Sequence, residues 1–108
     1  MDYDTATRIY QEIAQSSLHD LRKSLVNAAV EYARIRTDWQ LASAEERRDL
    51  DQRRRIAHNA LISACDILSR NMAKRGETID WRVLLGDDRK NIGDFACYLH
   101  CLLGVKAG

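Results

Sequence analysis

Two apolar stripes constrain this chain more than any other feature of it. In the first, Leu18, Leu21, Leu25, Ala28, Tyr32, Ile35 and Trp39 recur at alternating steps of three and four residues, the spacing of a helix seam buried against another helix. In the second, Leu50, Ala57, Leu61, Ala64 and Leu68 mark one face of a longer helix. Between them lies Leu41-Ala42, a place for a turn. Ser43-Ala44-Glu45-Glu46 follows and has the form of a capping box, in which the serine hydroxyl accepts from the Glu46 backbone N–H and the glutamate reaches back.

Laid antiparallel, the stripes match. Ile35 faces Leu50, Ala28 faces Ala57, Leu25 faces Leu61, Leu21 faces Ala64 and Leu18 faces Leu68, and the residue numbers of every pair add to 85 or 86. Small residues meet at 28 and 57, and large meets small at 21 and 64, which fills the layers without voids. The sequence therefore predicts a long antiparallel hairpin of helices over about 18–40 and 44–75, with Gly76 as the left-handed residue that ends the second.

The rest of the chain agrees with an all-α fold. It has no proline, so nothing interrupts long helices from within. An earlier helix is predicted over about 4–15, with Ile9, Tyr10, Ile13 and Ala14 on one face and a break at Ser16-Ser17. After Gly76, Thr78 or Asp80 caps a short helix carrying Trp81, Leu84 and Leu85, and Gly86 ends it. Asp87 and Asp88 open a last helix whose apolar face is Ile92, Phe95, Ala96, Leu99, Leu102 and Leu103. Gly93 inside that helix costs about 1 kcal/mol relative to alanine, so it is expected to mark a close approach by another element. The whole chain, 1–108, reads as one domain: a bundle of four to five helices built on the hairpin and closed by the C-terminal helix.

Bulk composition excludes several classes. With 45% hydrophobic and 31% charged residues the chain is neither disordered nor a membrane protein. A formal net charge of +1 gives no general attraction to nucleic acid or to anionic membrane. MDYDTATRIY has neither the basic nor the apolar part of a signal peptide, and three cysteines are an odd number for a disulfide framework. A cytoplasmic location is expected. A helix over 44–75 spans about 45–50 Å, longer than a domain of this size is wide, so it must protrude or pack on a second copy. We expect a homodimer.

The residues that suggest chemistry lie in RRRIAH, 53–58. An Arg-x4–6-His spacing arises about once by chance with 13 arginines and three histidines. The arginines also have a structural use, since Arg47–Asp51, Asp49–Arg53 and Asp51–Arg55 are i,i+4 pairs of opposite charge on a solvated helix face. Arg54, however, falls on the apolar line. The hairpin register sets it against Tyr32 and Glu31 and sets His58 opposite Asn27, so Glu31, Arg54 and His58 are expected to converge. Such a cluster is either a salt bridge at the core edge or an acid–base pair, in which His58 moves a proton and Arg54 holds a phosphate.

RRRIAH resembles the Arg-Asn-x-x-x-His signature of the HEPN superfamily, small all-helical dimers many of which cut RNA at the dimer interface. The resemblance implies a metal-independent ribonuclease with Arg53 or Arg54 and His58 as its catalytic groups and RNA as its partner. Arg54 stands where the family has asparagine. AHNALISACDILSR followed by WRVLLGDDRKNIGDFACYLHCLL is similar to a small bacterial family of helical proteins without assigned function, which implies a bacterial or phage source and a compact helical fold and supplies no catalytic residues to carry over.

Two other patterns carry less. Cys97, His100 and Cys101 share a helix face with Cys65 elsewhere, but structural zinc takes four ligands from separate elements, and no metal or cofactor is expected. The tail resembles a helix-turn-helix in outline, yet Asp87-Asp88 at the head of its second helix repels phosphate. The sequence reading is a non-enzymatic, self-associating protein–protein interaction module whose protein partner is not specified, with the HEPN-like ribonuclease of Arg53, Arg54, His58 and Glu31 as the alternative.

Overall fold

Asp2 starts the first helix by accepting from the Thr5 N–H, 2.8 Å away. In the computed structural model, which describes residues 1–107 in backbone and 1–103 in side chains, five helices follow in order. They are α1 (Tyr3–Ala14), α2 (His19–Leu41), α3 (Ala44–Lys74), α4 (Asp80–Leu85) and α5 (Arg89–Ala107). There is no strand among the described residues, and no helix there is long and apolar enough to cross a membrane. The fold is the all-α bundle expected. Helix α2 packs most extensively on α3 and next on α5, while α1 closes the opposite end against α4 and α5.

The helix ends follow their residues. Ser43 Oγ accepts from the Glu46 N–H at 3.3 Å, and its hydroxyl donates to the Glu46 carboxylate at 3.0 Å. Gly76, at φ +74°, closes α3 in a Schellman motif: its N–H donates to Ala73 O, and that of Glu77 donates to Met72 O. Gly86, at φ +66°, ends α4 without that motif, its N–H donating to Arg82 O at 3.1 Å. The break between α1 and α2 is real, but neither serine caps α2. Both hydroxyls donate to Glu77 instead, tying this bend to the α3–α4 linker. Likewise α4 has no cap of its own, and Glu12 of α1 accepts from the Trp81 backbone N–H at 3.0 Å. Asp88 caps α5 through the Asn91 N–H.

One continuous core joins Ile9 and Ile13 of α1, Leu25 and Tyr32 of α2, Leu61, Cys65 and Leu68 of α3, Trp81 and Leu85 of α4, and Ile92, Phe95 and Leu99 of α5. The α2 surface in it is wider than a single seam. Ala29 and Ala33 are buried beside the expected line, and Arg36, one turn further, reaches Gly93 and Cys97 of α5.

The hairpin register needs one correction. Trp39 bonds Asp51, and the Tyr32 and His58 rings stand 5.5 Å apart, pairs whose residue numbers add to 90 rather than 85 or 86. Side chains lean toward the N-terminus of their own helix. Those of α2 therefore lean away from the turn and those of α3 lean toward it, which raises the sum at which their tips meet.

At about 1.5 Å per residue, 31-residue α3 is about 46 Å long. It sets the longest dimension of a molecule measuring 47 × 28 × 24 Å. The excess length protrudes. No residue of α2 beyond Ile35 and none of α3 before Ala57 is buried, so the hairpin's closed end stands clear of the core.

Candidate functional site

This projecting end is held by a knot of side chains around Trp39. The indole N–H donates to Asp51 at 2.9 Å. The guanidinium carbons of Arg47 and Arg54 lie 4.4 and 4.6 Å from the ring centroid, two cation–π contacts worth about 0.5–2 kcal/mol each. Arg47 also donates to the Trp39 and Gln40 carbonyls at 3.0 and 3.3 Å, which supplies partners and positive charge to the C-terminal end of α2. Asp51 binds Arg54 at 3.2 Å. The i,i+4 ion pairs expected along 47–55 are not formed. Exposed pairs are weak, and here the indole draws Asp51 inward, where it meets Arg54.

One turn further along α3, His58 tilts at 53° against Tyr32. The structure thus brings Arg54 and His58 to the same side of α3, the side facing α2. It does not bring in the other two expected residues. Arg53 is exposed and lies about 140° around the helix from His58. Glu31 is exposed on α2 and makes no ion pair or hydrogen bond among the described residues, so the acidic partner of Arg54 is Asp51. Arg54 Nε and His58 Nε2 are buried and have no hydrogen-bond partner.

Three further features lie outside this cluster. Arg36 is half-buried with no carboxylate beside it among the described residues. Its Nη1 donates to Cys97 Sγ at 4.0 Å, its guanidinium carbon stands 6.0 Å from the Tyr32 centroid, and it fills the notch over Gly93. The glycine signalled a close approach, and the visitor is a side chain rather than a helix backbone. Arg82 joins three elements, donating to Asp66 of α3 from Nε at 3.0 Å and Nη2 at 2.8 Å, to the Gly86 carbonyl at 2.8 Å and to Asp87. Arg70, one helical turn after Asp66, donates to the Asp66 backbone oxygen rather than to its carboxylate. Finally, an apolar groove of about 490 Å³ runs between α1 and α5, walled by Met1, Tyr3, Ala6, Cys97, Tyr98 and Leu102 among others.

The cysteines do not assemble. Cys65 is buried, and burial pushes its thiol up to about 12. Cys97 is half-buried, with its thiol also raised by burial, and Cys101 is exposed. No three His, Cys, Asp or Glu side chains form a metal-ligating group among the described residues.

A different surface stands out on the far side of α3. Ile56 and Ile67 are 61% and 41% exposed, and between them at helical spacing lie Ala60 and Ser63, both open to water. No protein-family model, curated protein or solved structure matches the chain.

Proposed function

We propose that the protein is a non-enzymatic, self-associating interaction module. The observation that carries this reading is the contrast between the two faces of α3. Toward α2, Arg54 is engaged by Trp39 and Asp51 and shapes the hairpin. Away from it, Ile56 and Ile67 stand exposed at helical spacing with Ala60 and Ser63 open to water between them, a surface that supports docking of another molecule. The test is the mass of the purified protein by sedimentation equilibrium across a wide concentration range. A mass that climbs toward twice 12.4 kDa supports the reading. A mass fixed at the monomer value overturns self-association.

A second reading has one observation in its favour. Arg54 Nε and His58 Nε2 are buried polar atoms without hydrogen-bond partners, about one helical turn apart on the same side of α3, which supports a HEPN-like ribonuclease with RNA as its partner. In that reading His58 is the acid–base group and Arg54, rather than Arg53, binds the phosphate. Cleavage of RNA that disappears in His58→Ala supports it. Cleavage unchanged by that substitution, or none at all, removes it.

A further inference from the structure

We infer that α3 pairs with α3 of a second copy, antiparallel about a two-fold axis between Ala60 and Ser63. This deepens the self-association reading above and rests on it.

The exposed strip is complementary to itself. Asp49, Ile56, Ala60, Ser63, Ile67 and Lys74 lie within about 30° of one line down the outer face of α3. A two-fold axis requires each residue to meet its counterpart at a constant sum of residue numbers. The register that sets Ile56 on Ile67 of the second copy has no further freedom. It places Ala60 on Ser63, so the smallest side chains meet at the axis and let the helices approach. It also places Asp49 on Lys74 at each end. The two isoleucine contacts, the small centre and the two terminal ion pairs therefore come from one choice of register. A parallel pairing would instead set Asp49 on Asp49 and Lys74 on Lys74.

One contact opposes the arrangement. Arg53 meets Arg70 in this register. Both lie about 50° off the line, on its flanks, where long side chains keep their charge in water.

The size of the surface sets the strength. From Asp49 to Lys74 the strip runs about 37 Å, and a helix about 10 Å wide laid along it covers about 400 Å² per copy. That is half of the roughly 800 Å² per partner of a standard interface, so a weak dimer that dissociates on dilution is expected.

The experiment is sedimentation equilibrium of the full chain and four variants, with circular dichroism confirming that each keeps its helix content. The changed residues lie at exposed or flank positions, so the fold is expected to persist. Ile56→Asp should weaken the dimer by more than about tenfold. Asp49→Lys and Lys74→Asp should each weaken it about fivefold to tenfold, because each puts like charges at both ends. The double variant Asp49→Lys/Lys74→Asp should return to within about twofold of the original. A dimer that ignores Ile56→Asp, or a double variant that fails to recover, overturns this arrangement and leaves self-association through another face. A wild-type chain monomeric at every concentration overturns the pairing and the self-association reading together, and assigns the strip to a different protein.

Discussion

Trp39 shows how single residues stabilise a part of the molecule that has no core. It is the only large aromatic ring in the projecting end of the hairpin, and two guanidinium groups and one carboxylate are arranged on it. Trp39→Ala should lower the unfolding free energy by roughly 2–3 kcal/mol in urea denaturation, less than a fully buried tryptophan because the ring is partly open. Arg54→Ala should cost about 1 kcal/mol; no change would mean that its contacts with the indole and Asp51 are incidental. The cysteines give a second residue-scale expectation. The buried, protonated Cys65 thiol should resist alkylation in the native protein while Cys101 reacts readily, with Cys65 labelled only on unfolding. Rapid native labelling of Cys65 would show that the core opens there.

At the scale of elements, what could be read from the residues was what depends on local spacing. The heptad of α2, the Ser43 cap, the Gly76 stop and the apolar face of α5 are written in periodicities of one element. What could not be read was which side chains of one element complete another. Glu12 caps α4, Glu77 holds the α1–α2 bend, and Arg82 takes Asp66 away from Arg70. Nothing in the spacing of 12 and 81, or of 16 and 77, announces those meetings. The candidate cluster failed for a related reason. Index sums take no account of the lean of side chains or of neighbours on the same helix: Glu31 stays exposed, and Asp51, three residues before Arg54 and held by the Trp39 indole, is its partner. Gly93 was recognised as a close approach, but its visitor could not be named without the fold.

Two predictions belong to this scale. Gly93→Ala adds a methyl group where the Arg36 guanidinium sits, which opposes the gain of about 1 kcal/mol in helix propensity. In an Arg36→Ala background the same substitution should become stabilising, so the pair should be non-additive in a double-mutant cycle. Additivity would mean that Arg36 moves aside without cost. Glu77 gives a pH dependence. The Ser17 hydroxyl, with further bonds from Ser16, holds its carboxyl below the ordinary 4.5. A carboxyl lowered in the folded state adds stability that is complete above 4.5 and fades as pH falls through the folded value. Glu77→Gln should therefore be less stable than wild type at neutral pH and approach it under acid. A constant difference at all pH values would contradict the role given to the carboxylate.

The whole molecule is an elongated rod rather than a sphere, because α3 is as long as the molecule itself. Its inner face is used up in the bundle and its outer face is not. The proposed self-association rests on this division: Arg54 and His58 face α2 within the hairpin, and Ile56, Ala60, Ser63 and Ile67 are the residues proposed to meet a second copy. The most direct test is a set of amide proton–nitrogen NMR spectra recorded on dilution and again on addition of single-stranded RNA. The account predicts concentration-dependent shifts along the outer face of α3 and no response to RNA at Arg54, Tyr32 or His58. Spectra that do not change on dilution while those three residues respond to RNA would contradict it.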